Sequence, residues 1–252
     1  MARRATGRIV CWENGSLWLM STVSPVAQKT APHAHHAIQV TVGLEGAFAF
    51  EAEGRVVRAE AVAIAPDTRH TFELQGRVAH VFFEPDGRVG RAASAALFAG
   101  GRVVPVPSRL VTQTKEALRS AAGLRPVELV EVGRAFVAGL SGETNPSPTD
   151  VRVQRMMAWA EDRLEGPIGL GDAASAVGLS KGRARHVFVE QTGLPFRAFL
   201  LWRRLTVALK HYAEGRPLTE AAYAAGFSDS AHLSRTFRRM FGVAAAELWL
   251  DR

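Results

Sequence analysis

The sequence predicts two domains of different class, an all-β domain with flanking helices followed by an all-α domain, α+β overall. Three observations predict it. Residues 8 to about 84 break into short alternating runs (SLWLMSTV, AIQVTVGL, AFAFEAEG, RVVRAEAVAIAP, HTFEL and RVAHVFFEP) separated by turn residues, the spacing of a sandwich or barrel. Ser141 to Asp150, SGETNPSPTD, is polar and proline-containing with no apolar period, which marks a linker. Everything after it repeats with helical period. At 252 residues and 47% hydrophobic, the chain can bury one large core or two modest ones. The expected division is 1–140, a linker at 141–150, and 151–252.

Two helices are expected to flank the strands. Ser108 to Ala122 carries Leu110, Val111, Thr114 and Leu118, and is the expected seam of a homodimer. Pro126 to Leu140 carries Leu129, Val130, Val132, Phe136, Val137 and Leu140. Beyond the linker, Val151 to Leu164 is amphipathic through Met156, Trp159, Ala160 and Leu164. A short helix pair follows, then Pro195 to Ala213, a second short pair, and a terminal turn of helix near Ala245 to Leu250.

Bulk properties narrow the partners. The net charge of +7 and pI of about 10.4 favour a polyanion. From Asp150 onward there are 15 Lys and Arg against 11 Asp and Glu, so charge alone does not single out one half. Cys11 is the only cysteine, which excludes intramolecular disulfides and cysteine-based zinc sites; its apolar run makes a buried thiol the expectation. No apolar run approaches the ~18 residues of a membrane span, so a cytoplasmic protein without membrane contact is expected.

The two helix pairs share a plan. In LTEAAYAAGFSDSAHLSRTFRRMFG, Thr219 is the expected cap of a helix that buries Ala221, Ala222 and Ala225. Gly226 supplies the left-handed stop, Phe227 plugs the space between helices, and Ser228 is expected to cap the next helix. With Leu233, Phe237 and Phe241 inward, Ser230, Ala231, Ser234, Arg235, Arg238 and Arg239 lie on or near the outer face. In LGDAASAVGLSKGRARHVFVEQTG, Gly178, Leu179 and Ser180 repeat the punctuation. Ala184, Val187 and Phe188 point inward and Lys181, Arg183, Arg185 and His186 outward. A helix-turn-helix that places its second helix in a major groove has this form. Arg235 has the reach and fork to read guanine, while Arg238 and Arg239 suit phosphates. The intervening helix of about 19 residues spans ~29 Å at ~1.5 Å per residue. Successive major grooves on one face of a duplex lie ~34 Å apart, so one polypeptide is expected to read two grooves of an asymmetric double-stranded DNA site.

These residues, with AVGLSKGRARHVFVEQTGLPFRAFLLWRRL, resemble the C-terminal DNA-binding domain of the AraC/XylS family of bacterial transcriptional regulators, over about residues 151–249. The resemblance implies base-contacting positions at Gly182, Arg185 and His186, then at Ser230, Ala231, Ser234 and Arg235. Two departures stand out. Gly182 and Ala231 are too small for side-chain contacts, and Ala245-Ala246 replaces the usual Pro-Ser before the last helix.

In the N-terminal half, PHAHHAIQVTVGLEG and APDTRH resemble the two cupin motifs, the second shortened and the first with Gln39 in place of Glu. The resemblance implies a cupin-like sensor barrel that takes a small-molecule effector. Period-two alternation puts His33, His35 and Gln39 on one strand face. They are expected to line the cavity with His70 and His80, whereas His36 points outward to the surface. Phe48, Phe50, Phe72 and Phe82 are the expected aromatics. No cofactor is expected; were a metal held, His33, His35 and His70 would hold it. A metal-dependent cupin enzyme with an appended DNA-binding domain is the rival from another class, but Gln39 and the lack of a nucleophile arrangement speak against it. A regulator whose N-terminal half only dimerises is the other.

Overall fold

A computed structural model describes residues 5–119, 123–142 and 149–250. Its contacts divide the chain into two compact units, residues 1–146 together with 237–252, and residues 147–236.

The first unit is built on one sheet. Its strands are β1 (Ala5–Trp12), β2 (Gly15–Thr22), β3 (Gln28–Lys29), β4 (Ile38–Ala52), β5 (Arg55–Val57), β6 (Ala61–Ile64), β7 (His70–Phe83), β8 (Val103–Pro105) and β9 (Leu248–Leu250). The main ladder runs β8-β6-β4-β7-β2-β1-β9, with β3 paired to β7 and β5 to β4. All pairs are antiparallel except β1 with β9. The long strands β4 and β7 pair from Ile38↔Phe83 to Ala52↔His70, with a register irregularity between Gly43 and Glu45. This ladder, as paired, is an open path with β8 and β9 at its ends.

Both faces of the central strands are covered, which is why they read as near-continuous apolar runs. Ile38, Val40, Val42, Ala79, Val81 and Phe83 pack with residues of two helices, α2 (Ser108–Arg119) and α3 (Pro126–Ser141), through Val111, Leu118, Leu129, Phe136, Val137 and Leu140. Residues of the opposite parity, Trp18, Gln39, Thr41, His80 and Phe82, face the other way. They line up across the sheet, Trp18 opposite His80 and Thr41 opposite His80. A further helix, α1 (Arg88–Leu97), buries only small residues, Gly90, Ala92 and Ala93. Residues 120–122 of the expected 108–122 helix lie outside the described residues, as do 143–148 of the expected linker. The outward face of α2 is polar, with Arg109, Thr112, Gln113, Glu116 and Ala117 exposed.

The second unit contains α4 (Val151–Glu161), α5 (Leu170–Ala176), α6 (Lys181–Thr192), α7 (Phe196–Ala213), α8 (Leu218–Ala224) and the start of α9 (Ser230–Phe241). Val153, Met156 and Ala160 of α4 join Ala173, Ala174, Ala184, Val187, Phe188 and the start of α7 in one core. Asp150 caps α4 by accepting the Arg152 amide at 2.8 Å, and Arg204 closes the turn after α4 by donating to the Leu164 and Gly166 carbonyls.

The contact units depart from the linear division at 150 in one place. Phe237 and Phe241, from the last turns of α9, stack with Trp18 of the first unit. The chain then ends in β9 against β1. The terminal helix expected at 245–250 is a single 3₁₀ turn (Ala245–Glu247) followed by that strand. Strand pairing with residues at the far end of the chain overrides the local signal.

Candidate nucleic-acid interface and sensor cavity

The turns inside the two short helix pairs have the same bonding. After α5 the Leu179 amide donates to the Ala174 carbonyl at 2.9 Å and the Gly178 amide to Ser175 at 3.2 Å. After α8 the Phe227 amide donates to Ala222 and the Gly226 amide to Tyr223, both at 3.0 Å. Gly178 and Gly226 stand at φ 70° and 74°, the left-handed position that this helix stop requires. Leu179 and Phe227 fill the space just past the stop, as expected, and Phe227 is buried.

The following helices are capped differently. Ser180 accepts the Arg183 amide at 3.3 Å, as the sequence suggests. In the second pair the expected Ser228 cap is displaced by one residue: Asp229 accepts the His232 amide at 2.6 Å, and Ser228 donates to Asp229 at 3.0 Å. A carboxylate is the stronger acceptor at a helix start, and its neighbouring hydroxyl supports it. Thr219 likewise is not the cap of α8, which begins at Leu218 behind Pro217.

Ala184, Val187 and Phe188 on α6, and Leu233, Phe237 and Phe241 on α9, are buried. This rotation leaves Lys181, Gly182, Arg183, Arg185 and His186 exposed on α6, and Ala231, Arg235, Arg238 and Arg239 exposed on α9, with Ser230 and Ser234 half-buried beside them. His186 lies 3.9 Å from Glu190, one turn on. Arg238 has a competing partner in Glu247 at 3.7 Å. The two exposed rows thus differ, α6 being basic at its start and α9 being small and hydroxylated at its start and basic afterwards.

The first unit holds the other site. His33 and His70 face one another in a two-way backbone bridge, each amide donating to the other's carbonyl at 2.9 Å. His35, two residues on, falls on the same side, and one ring nitrogen from each of the three lies within 4.8 Å of the others. Gln39 reaches His35 Nε2 at 2.9 Å, and His80 reaches Thr41 at 2.8 Å and Gln39 at 3.2 Å. The five residues expected to line a cavity are therefore brought together, although of them only His33, Gln39 and His80 line it. Burial, followed by the nearby His35, lowers the pKa of His33 to about 4, of His70 to about 2 and of His80 to about 3. His35 is also lowered by burial. The rings are uncharged at neutral pH.

His33, Gln39, His80, Phe72 and Phe82 line a cavity of about 100 Å³, bordered by Lys29 and Thr30. Phe241, Val243 and Leu248 from the end of the chain complete its wall. Sequence patterning could not assign those three, since only the pairing of β9 with β1 brings them there. Phe48 and Phe50 pack deeper, against Phe72 and His70. His36 is not the surface residue that alternation suggests. It is buried and bonded to Asp67 at 3.1 Å and Asp86 at 3.0 Å. Burial acts to lower its pKa, but the two carboxylates outweigh it and raise it to about 9.

Comparison with known proteins follows this geometry. A family described as a helix-turn-helix domain matches residues 173–249. The HTH-type transcriptional activator RhaS of Escherichia fergusonii is 32% identical over 112 residues, 43% of this chain and 38% of that protein. The multiple antibiotic resistance protein MarA of Salmonella typhimurium is 29% identical over 94 residues, 37% of this chain and 74% of that protein. The match thus spans under two fifths of RhaS. In fold, ToxT from Vibrio cholerae O395 superposes with a TM-score of 0.62 at 9% identity, covering 94% of this chain and 97% of that one.

Proposed function

The second half of the chain carries an AraC-family helix-turn-helix domain, and from that premise we propose that the protein is a sequence-specific transcriptional regulator whose first unit senses a small molecule. The observation that carries the reading is the duplicated unit, two helices stopped by a left-handed glycine and followed by a capped helix with a buried apolar row and an exposed basic one. On this reading Arg185, His186 and Arg235 reach base edges, Ser230 and Ser234 allow close approach, and Lys181, Arg183, Arg238 and Arg239 serve mainly the backbone. Gly182 and Ala231 read by shape and contact with the backbone alone. The α7 helix between the two short helix pairs, Phe196–Ala213, is 18 residues long and so ~27 Å, within reach of adjacent grooves.

The sensor reading is supported by a half-open, mainly apolar cavity into which His33, Gln39 and His80 bring polar groups, a lining typical of ligand sites. The cupin-like character of the sheet is supported by the HxH segment facing His70. One ToxT structure is bound to an unsaturated fatty acid and another to a naphthalenyl butenoic acid. They support effector binding in a protein of this fold without naming the effector here. A homodimer through α2 would use its exposed face of Arg109, Thr112, Gln113 and Glu116, and each chain would still read an asymmetric site.

Selection of binding sites from a random double-stranded pool by the full chain, followed by footprinting, tests the reading. Two protected major-groove patches about one turn apart in an asymmetric site are expected. Absence of enrichment at low salt by folded protein overturns sequence-specific reading, and a palindromic site overturns the single-chain form.

A further inference from the structure

The two glycine stops of the second unit match in local bonding and in φ, yet their surroundings differ. A side chain added at Gly178 would meet nothing within 4 Å. One added at Gly226 would collide with the Leu164 carbonyl oxygen, and would lie 3.0 Å from Glu165 Cα and 3.1 Å from Arg204 Nε. A helix stop demands only the left-handed φ, which both glycines supply. The close approach at Gly226 therefore serves something other than the turn.

Three segments meet at this point, all within the second unit. Leu164 and Gly166 belong to the turn after α4, Arg204 lies midway along α7, and Gly226 stops α8 shortly before α9 begins. Arg204 donates through Nε to the Leu164 carbonyl at 2.9 Å and through Nη2 to the Gly166 carbonyl at 2.7 Å. This half-buried guanidinium is directed at main-chain acceptors, unlike the exposed arginines of α6 and α9. The Leu164 side chain reaches the other way, into the core that seats α6 through Ala184, Val187 and Phe188. Leu164 thus touches the seat of α6 with its side chain. With its carbonyl it touches both Arg204 and the stop that precedes α9.

The length of α7 sets how far apart α6 and α9 stand, but not the angle at which either is attached. One base-pair step along a duplex moves a half-site by ~3.4 Å and rotates it by about a tenth of a turn. Helix pairs hinged only at the ends of α7 could absorb such a step by swivelling. A tie at its middle, with main chain packed on main chain, resists it. On the regulator reading above, on which this rests, we infer that Arg204 is a positioning residue that fixes the spacing between the two half-sites without touching DNA. The fork is what the role requires, because arginine reaches two carbonyls at once whereas a lysine ammonium is a single point.

Competition binding by the full-length chain tests this, using its selected site remade with one base pair inserted or deleted between the half-sites. The wild type should prefer its own spacing by at least ~10-fold, because one wrong base pair costs about that much and a shifted half-site has several. Arg204→Lys should narrow that ratio ~2–10-fold, the worth of one hydrogen bond lost from the tie. Penalties for single-base changes inside either half-site should stay as they were. A merely structural Arg204 would weaken all sites evenly and leave the spacing ratio unchanged, which overturns the assignment. Gly226→Ala should narrow the ratio too, because it forces the main chains apart. Gly178→Ala, with the same left-handed penalty but open space around it, should not. Equal behaviour of the two alanine variants also overturns the assignment. Should Gly226→Ala fail to fold by circular dichroism, Arg204→Lys alone decides, since it keeps the charge and the aliphatic stem. A wild type indifferent to spacing overturns the role of Arg204 and leaves the regulator standing. Absence of any enriched site sinks the regulator and the role together.

Discussion

The helices α6 and α9 are both 12 residues long and each lies between two left-handed glycines, yet they are capped by different residues and finished by opposite chemistries. Both follow a left-handed glycine stop and both end at a second glycine, Gly193 at φ 74° and Gly242 at φ 71°. The last residue of α6 is Thr192, whose hydroxyl donates to the Phe188 carbonyl at 2.9 Å and accepts the Leu194 amide at 3.2 Å. The last residue of α9 is Phe241, which packs on Trp18, Phe82 and Phe237 and approaches His35. Nothing lies within 4 Å of a side chain added at Gly193, whereas one at Gly242 meets the Ala31 carbonyl, His33 and Thr30. Duplicated local signals thus produce a helix end closed by its own hydroxyl in one copy and one anchored by aromatic packing in the other. The difference lies in tertiary packing that the repeat does not encode.

The largest break in that comparison should come from the two terminal residues. Phe241→Ala removes a buried aromatic and should cost about 3–5 kcal/mol in urea unfolding, while Thr192→Ala should cost about 1 kcal/mol. Equal losses would show that α9 is not anchored. The glycines give the next step down. Alanine at Gly193 carries only the left-handed penalty, about 1–2 kcal/mol. Alanine at Gly242 adds overpacking and should reach about 2–4 kcal/mol, read as the gap in melting temperature between the two variants.

Reading of DNA sharpens the comparison further. Arg235→Ala should lose ~1–3 kcal/mol at one base position of the selected site and relax its preference there. Arg185→Ala should do the same in the other half-site. Arg239→Ala should weaken all sequences evenly and reduce the salt slope by about one. Competition with single-base variants separates these patterns, and an even loss from Arg235→Ala removes its assignment to a base.

The smallest effect concerns the caps. Ser180→Ala should cost about 1 kcal/mol at any ordinary pH. Asp229 differs because it titrates. The His232 amide, followed by the Ser228 hydroxyl, lowers its pKa in the folded chain. Its contribution is therefore present above the unfolded value of ~3.9 and is lost as pH falls through the lower folded value. Amide protection relative to the intrinsic exchange rate should fall at the first turn of α9 on acidification, and that of α6 should not. A parallel fall in both would place the effect outside the cap.

Much of this was legible from local punctuation. Gly178, Leu179 and Ser180 fix a turn within a few residues, and the inward rows of α6 and α9 follow from helical period. Alternation puts His33, His35 and Gln39 on one side and the cupin-like motif adds His70; the folded chain brings these near His80 through the His33–His70 bridge and the Gln39 and Thr41 bonds. What stayed hidden depends on distant partners. The α1 helix buries only small residues. His36 finds Asp67 and Asp86, which alternation has no means of matching to it. LWL at 248–250 becomes a strand only because β1 offers an edge. Ser228 against Asp229 was a choice between two competent caps one residue apart, where the stronger acceptor won.

The strand β9 bears on how such a protein can be taken apart. Cutting at residue 150 gives two fragments that look like interchangeable parts, but each carries a defect. The front fragment is left with Trp18 and Phe82 uncovered and the edge of β1 unpaired. The rear fragment keeps Phe237, Phe241 and Leu248 with nothing to bury them. Swaps of front halves between related chains should therefore succeed when the final residues, from 237 onward, travel with the front piece.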